Sequence, residues 1–254
     1  YYLDFEQFID FNNPQSLSHI DNPFINAIFN DDIDQLQTLI SNHKVEINKK
    51  IIKNRLQIHK LLKNANLLQY SAFYGSIKCF KYLLINSKNI NYTDLFKCSI
   101  AGGNSEIIHI IEDKSEELNI DLECLHIAIQ YMRNDLIDYL INNYDIKING
   151  ESYIQCIYSS NYEAMIKIIE IDERQNINEY GNNGSTPLDI AAFEGYVDFM
   201  KFLLLFEEVE IDKLNIFGKT ILQSATKRNN LDTVKFIINN NLEDPNYRGH
   251  SSRT

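Results

Sequence analysis

The chain has 254 residues, of which 44% are hydrophobic and 23% charged, and its formal net charge is −11 at pH 7. This acidic balance argues against nucleic-acid binding, which depends on many lysine and arginine contacts with phosphates. No apolar run approaches the roughly 18 residues of a membrane span, so we expect a soluble protein with neither nucleic acid nor membrane as its partner.

The first 20 residues precede any recurring pattern. Their apolar residues recur roughly once per helical turn until Asn12, Asn13 and Pro14 interrupt them. We therefore predict an N-terminal helical cap or linker over residues 1–20. No charged and then apolar leader begins the chain, and the absence of an initiator methionine suggests a fragment or a processed product. We expect the protein in the cytoplasm, with the nucleus as the alternative.

A short helix, a turn and a longer helix recur along the rest of the chain, most clearly in residues 184–205. There, Pro187 suits the first position of a helix, and Gly195 suits the left-handed conformation that ends it. With Ala191 as the register mark, the corresponding residues are Ala27, Ser71, Ser99, Ala128, Ile157 and Ala225. Their successive separations, counted through Ala191, are 44, 28, 29, 29, 34 and 34, and a period near 30 indicates a repeat protein.

The run TPLDIAAFEG at residues 186–195 resembles the ankyrin repeat, whose pattern is DxxGxTPLHxAAxxGHxxVVxLLL over about 33 residues. Residues 67–84, LLQYSAFYGSIKCFKYLL, resemble the divergent ankyrin units of greatly expanded families in unicellular eukaryotes. The resemblance implies an all-α ankyrin-repeat solenoid of about seven helix-turn-helix units within residues 21–245. We place the units near 22–44, 66–92, 93–118, 119–146, 147–180, 181–214 and 215–245.

The spacing also predicts how the units are joined. Separations of 28 and 29 in the middle leave the connecting hairpins short or absent, whereas 34 predicts full hairpins at the C-terminal end. The longest separation holds a basic insert, residues 45–65, in which we predict an extra helix. In the turns, Asp31, Asn161 and Asn229 take the place of Gly195.

The last residues, 246–254, begin another copy of the pattern before the chain stops, so we predict a truncated further repeat there. An eighth unit would cover Val234, Ile237 and Ile238. Without it, we expect these side chains to be partly exposed and this end of the array to fray first. We expect a monomer unless this open C-terminal repeat face self-associates.

No motif for catalysis, a cofactor or a metal is present. The chain lacks GxxxxGK[ST], HExxH and GxSxG, and its histidines have no ligand spacing. The resemblance implies that His126 forms hydrogen bonds within and between repeats. The cysteines form no CxxC pair and are interpreted as small buried hydrophobes; they are Cys79, Cys98, Cys124 and Cys156. We therefore expect no enzyme activity, no cofactor and no metal.

The resemblance implies a binding surface made by the hairpin tips and the exposed side of the first helices. In this register the candidates are Phe73, Tyr74, Gln130, Tyr131, Asn182, Asn183, Phe193, Glu194, Phe217, Lys227 and Arg228. Four of them, Phe73, Tyr74, Tyr131 and Phe193, are large aromatic residues of the kind enriched at interfaces. The same rings could equally pack against neighbouring first helices.

The predicted function is a non-catalytic scaffold or adaptor that binds another protein along this concave surface. The alternative is a regulatory or targeting arm of a larger enzyme whose catalytic domain lies outside this chain. A third interpretation is a spacer that binds nothing.

Overall fold

The computed structural model describes residues 22–43, 47–48, 50, 60–115 and 117–245. The predicted N-terminal cap, most of the basic insert and the predicted truncated repeat lie outside these ranges. All regular structure in the described residues is helical, and no strand occurs there. The chain divides into two compact units, residues 1–119 and 120–254.

In its described residues, the first unit contains three helix pairs and one 3-10 turn at Lys60–Leu62. Helices α1 to α6 span Pro23–Phe29, Ile33–His43, Leu67–Phe73, Ile77–Asn86, Tyr92–Gly102 and Ser105–Lys114. The first helices pack side by side, α1 on α3 and α3 on α5, and the second helices do the same, α2 on α4 and α4 on α6. The apolar stripe of each helix is therefore buried by its partner and by its neighbours.

The second unit contains four helix pairs within its described part, residues 120–245. Helices α7 to α14 span Leu122–Gln130, Asp135–Tyr144, Gly150–Tyr158, Tyr162–Ile171, Pro187–Glu194, Val197–Leu203, Ile221–Lys227 and Leu231–Asn239. The first helices form a continuous row in which α9 packs between α7 and α11, and α11 packs between α9 and α13. This row places the C-terminal ends of the four first helices on one side of the unit.

Side-chain caps define where many of these helices begin. Thr186 accepts a hydrogen bond from the backbone N–H of Asp189 at the start of α11, and Pro187 follows as the first helical residue. Thr220 and Gln223 form a reciprocal capping box at α13. Such caps satisfy N–H groups that have no partner within the helix, and each stabilises the fold by about 1 kcal/mol.

The predicted full hairpins at the C-terminal end are reduced to tight turns. Gly181 N–H donates to Ser185 O and Asn215 N–H donates to Lys219 O, both at 3.0 Å, and no strand extends either turn in the described residues. As predicted, the described connections between the middle units contain no hairpin strands. Neighbouring tips are joined by the bond from Ile216 N–H to Gly184 O at 2.9 Å.

The face beyond α14 is only partly apolar. Ile238 is 41% exposed and Leu231 62% exposed, whereas Ile237, which the sequence placed on the same open face, is completely buried. Because Ile237 points into the helix pair, only Ile238 and the half-buried Val234 match the predicted exposure. None of the helices in the described part of the chain combines the length and the apolar character of a membrane span.

Candidate functional site

A left-handed turn residue ends the first-helix segment of every pair and directs the chain into the second helix. The residues with positive φ at this position are Asp31, Gly75, Gly103, Met132, Ser160, Gly195 and Asn229. Glycine adopts this conformation without strain, whereas other residues pay roughly 1–2 kcal/mol. The turn therefore forms even where the sequence supplies no glycine.

One predicted turn residue was wrong by a single position. Asn161 has a φ of −93° and is the N-cap of α10, whereas Ser160 holds the left-handed conformation. The register mark of this unit is consequently Cys156 and not Ile157. The error arose because asparagine is favoured both in left-handed turns and at N-caps, and its side chain here is used as a cap.

Polar side chains at the start of the second helices join consecutive repeats, a feature that the sequence analysis missed. Each donates a hydrogen bond to a backbone carbonyl at the end of the preceding repeat's first helix, or in the turn after it. These bonds run from Ser76 to Ile28 (2.5 Å), Asn104 to Gly75 (3.0 Å), Asn161 to Ile129 (2.9 Å) and Asn230 to Phe193 (2.6 Å). The recurrence of asparagine just after the turn was the available signal.

Four of the predicted binding residues meet at the C-terminal ends of α11 and α13. The guanidinium carbon of Arg228 lies 4.7 Å from the centre of the Phe193 ring, and Lys227 Nζ lies 5.7 Å from it. Arg228 Nη2 also donates to both carboxylate oxygens of Glu194, at 3.2 and 3.4 Å. Lys227 itself is exposed, so its charge faces solvent beside an aromatic ring.

The same side of α7 and α9 is polar and uncharged. Gln130 Nε2 donates to Gln155 Oε1 at 2.7 Å across the two helices. Tyr131 is half-buried, and the turn residue Met132 is 46% exposed. We call the set Gln130, Gln155, Phe193, Glu194, Lys227 and Arg228 the first-helix row.

The remaining candidates of this unit lie on the tips of two consecutive hairpins. Asn182 and Asn183 are exposed, and their backbone and side chain shape the turn: Asn182 N–H donates to Glu151 Oε2 at 2.7 Å, and Asn183 Oδ1 accepts from Ser185 N–H at 3.0 Å. Phe217 is 65% exposed and Ile216 61% exposed. We call Asn182, Asn183, Ile216 and Phe217 the tip patch.

Close packing between the two tips requires a glycine. Gly184 has a φ of +76°, and a Cβ at this position would collide with the side chain of Ile216. One edge of Ile216 thus lies on the preceding tip, although most of the side chain remains in solvent. The neighbouring Phe217 ring is likewise mostly exposed to solvent.

The two candidates in the first unit pack against the fold. Phe73 is only 4% exposed, so its prediction as a surface residue is wrong. Its ring belongs to the buried side of α3. Tyr74 is half-buried, and its ring meets Phe29 and Phe73 edge-on with ring centres 5.4 Å apart. Burial, with the nearby Tyr70 hydroxyl adding to it, raises the pKa of Tyr74 to about 12.

Buried polar groups of the second unit serve the structure. His126 Nε2 lies 3.3 Å from Ser152 Oγ in the next repeat. Burial lowers the pKa of His126, against the opposing effect of the Glu151, Glu123 and Asp121 carboxylates. Asp189, in the equivalent position of α11, is 2% exposed and accepts from Asn215 Nδ2 at 3.1 Å. Both side chains therefore connect one repeat to the next.

All four cysteines are buried, and none of them forms a disulfide. Burial, reinforced by Asp31, raises the pKa of Cys79 to about 12, and burial also raises the pKa of Cys98 and Cys156. These thiols remain protonated and inert at neutral pH. Among the described residues, no group of three or more His, Cys, Asp or Glu side chains is arranged to hold a metal ion.

Comparison with known proteins bears on the fold. A family model for the ankyrin repeat matches residues 183–216, and a model described as a domain of unknown function (DUF3447) matches residues 85–168. No curated protein matches the sequence. Among solved structures, the human ASB11 ankyrin repeat domain is similar, with 18% identity, a TM-score of 0.57, and coverage of 89% of this chain and 100% of that one.

The ASB11 likeness, at this identity, concerns the fold alone. Together with the seven described helix pairs and the repeat model that matches residues 183–216, it shows an all-α solenoid with the ankyrin-repeat fold. The predicted resemblance and the predicted fold class are confirmed. Ankyrin repeats generally act as protein-interaction modules.

Proposed function

We propose that this chain is a non-catalytic scaffold or adaptor that binds a partner protein along the first-helix row and the tip patch of its second unit. The observation that supports the proposal most directly is the exposure of Phe217 and Ile216, at 65% and 61%, on adjacent hairpin tips. Large aromatic and aliphatic side chains are the residues that most often anchor protein interfaces.

Packing within the fold is the alternative role of Phe193, in the first-helix row, and of Tyr131, which follows α7. Phe193 lies under two cations and is half-buried, as is Tyr131. If Tyr131→Ala and Phe193→Ala each lower the melting temperature by several degrees, intramolecular packing is the better account of these two rings. The proposed surface would then consist of Phe217, Gln130, Lys227 and the exposed asparagines.

The proposal is tested by affinity capture from extracts of the source cells, followed by binding measurements with the purified partner. Phe217→Ser removes the exposed tip ring, and Ile171→Ser, which is 38% exposed on α10, is the matched control. We expect the retained protein to be lost or reduced at least about tenfold with Phe217→Ser only. Equal retention by both variants, or retention of nothing above background, contradicts the proposal.

We also propose that the protein is cytoplasmic and monomeric. A cytoplasmic location agrees with four cysteines that form no disulfide, because oxidising compartments favour disulfides. Size-exclusion chromatography with light scattering would test the expected monomer. A dimer disrupted by Ile238→Ser would show instead that the C-terminal repeat face self-associates.

A further inference from the structure

We infer that the first-helix row receives an acidic segment of the partner, with a carboxylate of that segment reaching Lys227. This inference rests on the proposed function, since it names the chemistry of the partner for the same surface. It is carried by the distribution of charge within the second unit.

Acidic residues in this unit are concentrated on the second helices. Six of them are exposed there, namely Asp135, Asp138, Glu163, Glu170, Asp198 and Asp232. The first helices carry only one fully exposed acid, Glu123, which lies in the first turn of α7 and so at the end of that helix opposite the row. Asp138 and Asp198 pair with Lys167 and Lys201. The other four acids still outnumber the remaining exposed lysine, Lys235, so an acidic segment is favoured along the first-helix row over the second helices.

Within the row, the charges leave one cation unneutralised. Glu194 pairs with Arg228. Asp189 and Glu151 are buried and accept hydrogen bonds from residues of neighbouring tips. Lys227 Nζ lies over the Phe193 ring, and among the described residues no carboxylate pairs with it. The row therefore has one positive charge in excess, in a chain whose formal net charge is −11.

Stabilisation of the helix dipole does not account for this cation. Lys227 lies in the last turn of α13, where a positive charge is favourable. However, α7, α9 and α11 end in the same row with no basic residue in their last turns. The cation is thus a local feature of the end of the row, in the same repeat as the exposed Phe217.

Selection of short random displayed peptides on the immobilised full chain tests the inference. The best peptides are resynthesised and their affinities measured for wild type, Phe217→Ser, Lys227→Gln and Lys235→Gln. Lys235 is the matched control, because it is an exposed lysine of the same repeat that lies on the second helix. Lys227→Met, which keeps the apolar stem of the side chain, replaces Lys227→Gln if that variant fails to fold.

We expect the selected peptides to be enriched in Asp and Glu. Lys227→Gln should weaken their binding about tenfold and Lys235→Gln less than about twofold, and added salt should reduce the difference because it screens exposed charges. A Lys227→Glu chain should prefer the peptide in which Lys replaces the critical acid. This reversal distinguishes a direct charge contact from a loss of folding.

The remaining outcomes separate the two proposals. Peptides that depend on Phe217 but show no acidic enrichment, or bind Lys227→Gln as well as wild type, overturn the inference and leave the proposed function standing. Peptides that respond to neither residue, or a selection that recovers no binder, count against both.

Discussion

His126 links two repeats through a half-buried imidazole, and its environment makes stability depend on pH. Because burial lowers the pKa of His126 in the fold, the unfolded chain takes up a proton first as the pH falls through about 6.5. Below that pH the free energy of unfolding decreases, because the unfolded chain binds the proton more tightly. Above it, the neutral His126 makes its full contribution to the stability of the fold.

We therefore expect the melting temperature to fall more steeply between pH 7.5 and pH 5.5, about one unit on either side of that pKa, in wild type than in His126→Gln. Glutamine keeps a hydrogen-bonding group near Ser152 but does not titrate. Thermal unfolding followed by circular dichroism at a series of pH values measures the difference. Parallel profiles for the two proteins would show that His126 has no role in the pH dependence.

Met132 occupies a left-handed turn, with a φ of 56°, although its side chain is 46% exposed. Glycine would remove the conformational strain and would sacrifice little buried area. We expect Met132→Gly to stabilise the fold by about 0.5–1 kcal/mol, which corresponds to roughly 1–3 °C in melting temperature. Met132→Ala is the control, because it removes the same side chain and retains the strained Cβ; equal stability of the two variants would refute this account.

At the level of the helix, Asn161 both begins α10 and joins it to the preceding repeat. Its Oδ1 accepts from Ala164 N–H at 3.0 Å, and its Nδ2 donates to Ile129 O and Asn134 Oδ1. The side chain is 2% exposed, so its removal leaves buried groups without partners.

We expect Asn161→Ala to cost about 2–3 kcal/mol, the sum of a lost cap and a lost buried bond. Asn143→Ala, on the exposed face of α8, should change stability by less than about 0.5 kcal/mol. Urea titration of both variants gives the comparison. If Asn161→Ala proves as mild as the control, the asparagine bonds between repeats contribute little to the stability of the array.

The helices were predictable because each repeat carries its own start and stop residues. Thr186, Pro187 and Gly195 determine α11 locally, and the pattern could be transferred to weaker copies. The error at Asn161 shows the limit, since a residue suited to two adjacent positions is assigned only by contacts with the preceding repeat. The burial of Phe73 was likewise decided by neighbouring helices, and the pairing of Glu194 with Arg228 joins two repeats that are 34 residues apart in sequence.

In the second unit as a whole, stability depends on how many neighbours each repeat has. The row helices α9 and α11 are flanked on both sides, whereas α13 packs on α11 and on its own partner α14. In repeat arrays, stability is approximately the sum of the intrinsic terms of each repeat and the nearest-neighbour interface terms. The last described repeat should thus open at a lower free energy than the repeats before it.

Ile168 and Ile237 provide a matched test of this gradient. Each is the seventh residue of its second helix and is completely buried, so alanine at either position should cost about 2–5 kcal/mol locally. We expect Ile237→Ala to accelerate hydrogen exchange mainly in α13 and α14, because no described repeat packs on their far side. Ile168→Ala should accelerate exchange in its own pair, α9 and α10, and also in the neighbouring α11, because α11 packs on α9. Hydrogen exchange resolved by peptide mass spectrometry measures both patterns, and an equal loss of protection in all four helix pairs for Ile237→Ala would show that the unit unfolds in a single step.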